Sequence, residues 1–331
     1  MRTLAVWLGA AATALTLVSA EANETKTIGF SWNEKNTSLL QAWEDYLKAE
    51  AKRQGAEAGI DITWVSNVAN NDPARQAANI EDLLNQNVDL VMARAEDAAA
   101  IGASIRAAQE AGVPFITFDR ASSTTKPTAH VGGDSYDQGI TTAEGLVEIL
   151  NKAGVKGKCI ELQGALTDVN AVNRSKAWNE VAARSNGTIE TIVQVPTEWK
   201  PELFLSGASN ALKAHPEANC MFAASDFAFS AVQSALEGAG KWAKTGEPNH
   251  VWLATQDLFP AAVKAMEDGY IDIATSYDAY NHAKEAIRVS ILVLQGKDPG
   301  CPPDGCLAKG RVATQATIGS LDNLWSRDYK D

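Results

Sequence analysis

The chain has 331 residues, of which 45% are hydrophobic and 21% charged, and it carries a net charge of −12. That length accommodates two domains of ordinary size, and the composition is that of a folded globular protein. The acidic balance argues against a nucleic-acid partner, because nucleic acids are held through Lys and Arg contacts to phosphate.

The amino terminus differs from the rest. Arg2 precedes an uncharged run from Thr3 to Ala20, which closes on the small residues Val18-Ser19-Ala20 before Glu21. This is the layout of a secretory signal peptide. Residues 1–20 are therefore expected to be cleaved near Ala20, leaving a mature protein outside the cytoplasm. A membrane anchor is the competing reading, but the run is rich in Ala, Thr and Ser and only weakly apolar for a span. No Cys lies near the cleavage point to carry a lipid.

Downstream, short β-like runs alternate with longer amphipathic stretches. Strands are expected over 27–32, 60–65, 89–93 and 114–118, with helices over 39–53, 73–85 and 98–111. Pro73 suits the first turn of its helix. The pattern then restarts, with strands over 130–131, 158–162, 189–195, 220–223, 251–255 and 271–275, and a last long helix over 280–294 ended by the Gly- and Pro-rich segment 296–305. Repeated β-α alternation predicts α/β architecture with parallel sheets covered on both faces. Two similar halves imply two doubly wound lobes, and open sheets of this kind take ligands at the carboxyl ends of their strands.

Cys301 and Cys306 bracket the turn sequence Pro-Pro-Asp-Gly. In an oxidising compartment this favours a disulfide over a metal site, since no nearby Cys or His completes four ligands. Cys159 and Cys220 lie in apolar runs and read as free buried thiols in preference to a bridge.

Familiar catalytic motifs are missing: there is no phosphate-binding Gly-rich loop, no G-x-S-x-G and no H-E-x-x-H. The four histidines are scattered, and His215 and His250 sit beside polar turn residues, which favours solvated side chains. No cofactor is implied. The informative residues follow predicted strands: Arg94, Asp119 and Arg120, Ser225 and Asp226, Asp257, and Asp278, with Arg174 early in a helix. Singly, each suits a helix cap or a surface charge. Together they suit sugar hydroxyls, which donate to carboxylates and accept from the guanidinium fork. Trp32 and Trp199, at strand-to-helix junctions, are placed to cover the apolar face of a ring, whereas Trp43, Trp64, Trp178 and Trp252 read as core.

On the segments P-F-I-T-F-D-R (114–120), I-E-L-Q-G (160–164), 72–84 and 214–226, the chain resembles the ribose-binding-protein type of ABC-transporter solute receptor, with its type I periplasmic-binding fold. The resemblance covers nearly all of the mature chain. It implies two lobes joined by a three-strand hinge, one from 24–133 and 279–312, the other from 134–278 and 313–331, crossing near Gly133, Asp278 and Val312. It also implies ligand contacts from Asp119, Arg120, Arg174, Trp199 and Asp257, with Ser225 replacing the family's asparagine beside Asp226.

Departures concern specificity. The loop 32–38 lacks the family's paired stacking phenylalanines, with Leu39 and Leu40 near those positions and Trp32 or Asn36 as candidates to compensate. Asp278 stands where a ribose binder has Gln, and Arg94 where it has Asn. These changes point from ribose toward another pentose, a deoxyhexose, an inositol or a linear polyol. The implied partners are that small molecule and a permease with its cytoplasmic ATPase. A chemoreceptor is a further partner that the family allows, and the expected state is monomeric. Closure on the ligand would add the second lobe's hydrogen bonds.

Three rival readings are weaker. A sugar-responsive transcription regulator would need an amino-terminal helix-turn-helix. A glycosidase would need two carboxylates flanking a bond, and neighbouring arginines would hold these ionised. A receptor for a sugar acid or furanosyl signal is a close variant of the binding reading.

Overall fold

The computed structural model describes residues 23–330, so the segment read as an export signal lies outside it. The first half runs β1 (Glu24–Trp32), α1 (Ser38–Ala58), β2 (Ile60–Val68), α2 (Pro73–Asn85), β3 (Leu90–Ala93), α3 (Ile101–Glu110), β4 (Phe115–Phe118) and β5 (Ala129–Gly133). The second runs α4 (Ser135–Ala153), β6 (Gly157–Gln163), α5 (Val169–Arg184), β7 (Ile189–Pro196), α6 (Pro201–Ala214), β8 (Cys220–Ala223), α7 (Phe229–Gly238), β9 (Trp252–Asp257), α8 (Pro260–Glu267) and β10 (Ile273–Ser276). Three late elements follow, α9 (Ala279–Leu294), β11 (Cys306–Ala308) and β12 (Val312–Thr314).

Local sequence accounts for the element boundaries. Thr37 accepts from Leu40 N and opens α1, and Gly59, at φ 71°, ends it in the left-handed region. Asp72 caps α2 by accepting from Ala74 N (2.9 Å) and Arg75 N (3.1 Å), and Pro73 occupies the first turn. The central strands Leu-Val-Met-Ala, Phe-Ile-Thr-Phe and Cys-Met-Phe-Ala are buried at every position. Continuous apolar runs of this kind mark parallel strands covered on both faces.

Among the described residues the strands form two six-stranded sheets, β11-β5-β4-β3-β1-β2 and β12-β10-β9-β8-β6-β7. Setting aside the late strands, both follow the same doubly wound order and are parallel; β12 alone joins antiparallel, against β10. The chain passes between sheets at 133–135, 276–279 and 308–312. Val312, expected at the end of the first lobe, therefore opens a strand of the second sheet. β11 and β12 leave no signal in the sequence, because three-residue edge strands lack a measurable period.

Two disulfides are present, Cys301–Cys306 as expected and Cys159–Cys220 against expectation. The latter pair is distant in sequence, but β6 and β8 place the two residues directly opposite each other with Cα atoms 4.2 Å apart. Only strand register reveals that proximity.

The carboxyl-terminal tail departs from its expected place in the second lobe alone. Ile318 and Leu324 pack into the second lobe's core. Trp325 then joins the first lobe's cluster and meets Phe259 edge-on at 5.0 Å. Tyr329 reaches α1, where its ring contacts Tyr46 at 5.8 Å and its hydroxyl donates to Asp45 at 3.2 Å. The tail therefore spans both lobes. No helix among the described residues is long and apolar enough to cross a membrane.

Trp325 is buried, and truncating a buried Trp to Ala costs about 3–5 kcal/mol. Trp325→Ala is expected to lower the urea unfolding midpoint clearly; an unchanged midpoint would mean that the tail is not packed against both lobes.

Candidate functional site

In doubly wound sheets the strand order reverses next to the first strand, leaving a crevice at the carboxyl edge. The two reversals here lie between β1 and β3 and between β6 and β8, and their crevices face each other. The space between them measures about 510 Å³ including its open mouth.

Three Arg–Asp pairs line it. Arg94 Nε contacts Asp119 Oδ2 at 2.6 Å, while its Nη1 donates to Asn33 Oδ1 at 2.5 Å. Arg174 holds Asp257 in a fork, Nη2 to Oδ1 at 2.6 Å and Nη1 to Oδ2 at 3.2 Å, and also donates to Ala224 O and Gln138 Oε1. Arg120 of the first lobe pairs through Nε with Asp168 Oδ2 of the second at 2.9 Å. Glu34 stands at the rim, 3.9 Å from Arg94.

Electrostatics follow from this burial. Desolvation opposes ionisation of Asp119, but Arg94, Arg120 and the Tyr277 hydroxyl outweigh it and hold the carboxyl below the usual range. Burial pushes Asp257 up, with Arg174 and Ser225 pulling it back. Burial also disfavours charge on Arg94 and Arg174, yet Asp119 and Asp257 respectively keep them protonated. Asp226 plays a different part: it accepts from Phe259 N (2.8 Å), Thr255 Oγ1 (2.7 Å) and Leu258 N (3.2 Å), tying down the turn after β9. Its carboxyl is pushed well up, chiefly by burial.

The backbone is bent to present these groups. Asp119 (φ 63°), Asp257 (φ 89°), Leu258 (φ 58°) and Trp199 (φ 52°) all lie in the left-handed region, which is unusual for non-glycine residues and most strained for bulky ones. Such conformations cluster at functional sites. Trp199 fits only because residue 164 is glycine, since a Cβ there would meet its indole ring at 2.0 Å.

Of the residues expected from sequence, Arg94, Asp119, Arg120, Arg174, Trp199, Ser225 and Asp257 line the space together. Three do not. Trp32 is buried in the first lobe's core, stacked on Phe30 at 3.9 Å, because strand alternation turns it away from the cleft. Asn36 is exposed on the surface loop. Asp278 caps α9, accepting from Asn281 N at 3.1 Å, and the preceding Tyr277 enters the cleft in its place. The hydroxyl of Tyr277 donates to Asp119 Oδ1.

Other lining residues went unread. Trp43, expected in the core, is fully buried yet forms part of the wall. Asp168, Asn170, Phe227 and Phe259 complete it. The Asp-x-Asn sequence reads only as a helix start, which Asp168 indeed provides by accepting from Asn170 N at 2.9 Å. The cleft is closed: Asn170 Nδ2 reaches Asp119 at 3.2 Å and Ala98 N donates to Thr167 O at 3.1 Å.

His250 is not solvated, since its ring nitrogens face Ala243 O (2.8 Å) and Asp272 Oδ2 (3.0 Å). His282 is buried beneath the cleft between Trp43 and Tyr277, and neither ring nitrogen has a hydrogen-bond partner among the described residues.

The paired sheets, their crossings and the polar cleft at their carboxyl edges define a two-lobed binding protein. Residues 28–298 match the family model of the periplasmic binding protein domain, and the chain belongs to that family. It is 27% identical over 297 residues to the ribose import binding protein RbsB of Escherichia coli (strain K12), covering 90% of this chain and 94% of that one. It is 26% identical over 289 residues to the xylitol-binding protein of Mycolicibacterium smegmatis, covering 86% and 77% respectively. Among solved structures, a solute-binding protein from Bacillus halodurans C-125 with bound myo-inositol superposes with a TM-score of 0.79 at 22% identity, covering 94% of this chain and all of that one. At that identity the likeness speaks for the fold.

Burial lowers the pKa of His282 from 6.5 to about 4. Between those values the unfolded chain takes up a proton that the folded chain refuses, so stability falls as pH drops through this window. At pH 5 the penalty is about 2 kcal/mol. His282→Phe, which preserves the ring packing, is expected to flatten the change in thermal stability between pH 7 and pH 5; an unchanged slope would place the titration elsewhere.

Proposed function

We propose that this protein is the exported solute-binding component of a sugar ABC transporter. It captures a neutral monosaccharide or polyol by lobe closure and delivers it unchanged to a membrane permease with its ATPase. The observation that carries the ligand class is the charge pattern of the cleft. Each of the three arginines is already matched to an aspartate, and Glu34 leaves one carboxylate in excess. Such a wall offers hydrogen-bond acceptors and donors in alternation but no net positive charge for an acid to neutralise. Aromatic faces from Trp43, Trp199, Phe227 and Phe259 line the same space and suit the apolar face of a sugar ring. The relatives named for ribose and xylitol support a polyhydroxylated ligand.

Asp119 is held ionised by guanidiniums, which favours accepting hydrogen bonds over donating a proton. The uncharged run ahead of Glu21 supports export.

A thermal-shift screen of residues 21–331 against pentoses, hexoses, deoxy sugars, inositols, linear polyols and sugar acids tests the reading. A ligand that binds only the folded state raises the melting temperature with its saturation. A neutral polyol is expected to give the largest shift and to be recovered chemically intact. A shift confined to sugar acids would overturn the ligand class.

Asp119→Asn should weaken that ligand about 10–100-fold by calorimetric titration, the effect of losing a charged acceptor worth about 1.5–3 kcal/mol. Unchanged affinity would remove Asp119 from the site.

A further inference from the structure

Asp168 connects three things that no other cleft residue joins. It precedes α5 of the second lobe, where its Oδ1 caps the helix by accepting from Asn170 N. Its Oδ2 accepts from the indole Nε1 of Trp199 at 3.0 Å, in the same lobe. The same oxygen lies 2.9 Å from Nε of Arg120, which belongs to the first lobe. All three side chains line the cleft. Neighbouring residues reinforce the crossing, with Ala98 N donating to Thr167 O and Asn170 Nδ2 reaching Asp119. The turn 167–170 therefore grips the first lobe at three points using protein atoms alone.

We infer that Asp168 is a positioning residue that latches the two lobes independently of the ligand. The inference rests on the reading that this cleft binds by closure. Opening the lobes carries Arg120 away and admits water to a carboxylate that keeps the indole N–H on Oδ2. Closing brings the Arg120 guanidinium back to 2.9 Å from that carboxylate, an opposite charge that offsets the cost of burying it. A latch of this type raises the closed population before any ligand arrives. Apparent affinity scales with the fraction of protein in the binding-competent state. The latch therefore strengthens every ligand by one common factor and leaves their ranking unchanged. A residue that contacted the ligand would instead weaken some ligands more than others.

Asp168→Asn separates these roles. Asn caps helices about as well as Asp, so α5 retains its start, while the amide nitrogen replaces the acceptor facing Arg120 and Trp199. Small-angle X-ray scattering of the ligand-free protein is expected to report a larger radius of gyration for the variant than for the wild type. At saturation with the ligand found in the screen, the two should coincide. Calorimetric titration with several neutral polyols should show each weakened by the same factor, about 10-fold or more. Asp168→Ser keeps a capping oxygen without the second acceptor and should behave alike. Identical ligand-free scattering for wild type and both variants would overturn the latch, and so would a loss that differs from ligand to ligand. The scattering comparison needs no ligand, so it stands or falls apart from the assignment of function.

Discussion

A charge buried between two lobes costs several kcal/mol unless a partner accompanies it, and this constraint organises the cleft. Arg94 with Asp119 and Arg174 with Asp257 are each completed within one lobe. Each half of the site is therefore assembled before the lobes meet, and little has to reorganise on contact. Arg120, which also lies 3.8 Å from Glu96 of its own lobe, meets Asp168 across the gap. The distribution of three similar ion pairs, two within lobes and one between them, thus separates the building of the site from its closing.

The fold delivers these pairs by repetition. Two sheets of the same winding bring their crevices face to face, and each strand end contributes one or two polar groups. The strained residues sit where a strand must turn sharply to present a side chain: Asp119 after β4, Trp199 after β7, Asp257 at the end of β9. Asp226 fixes the last of these turns from below through backbone amides. The crossings near Gly133 and Tyr277 are equally constrained, since a Cβ on Gly133 would meet the Tyr277 ring at 2.2 Å. Tyr277 thereby links the hinge to Asp119 in a single hydrogen bond.

Much of this was legible in the sequence because it is local. The β-α alternation, the Pro73 helix start and the polar residues after Phe118, Ala93 and Gln256 are readable from a few neighbours. What was hidden depends on tertiary geometry. Asp278 and Tyr277 are adjacent, and the direction of the chain leaving β10 decided which one enters the cleft. Trp32 follows the strand's alternation into the core, while Trp43, inside an amphipathic helix, both packs and faces the site. The Cys159–Cys220 bond and the tail's return to Tyr46 join segments far apart in sequence. Asp168 was hidden for another reason: its helix-capping role fully explains its residue type, so its second role leaves no trace in one chain.

The central claim is that one small ligand is held by both lobes at once. Hydrogen exchange with and without the neutral polyol that most stabilises the protein tests it most directly. The account predicts simultaneous protection of 33–40, 94–98 and 119–120 in the first lobe and of 163–170, 225–227 and 256–259 in the second. Protection confined to one lobe, or located away from these strand ends, would contradict it.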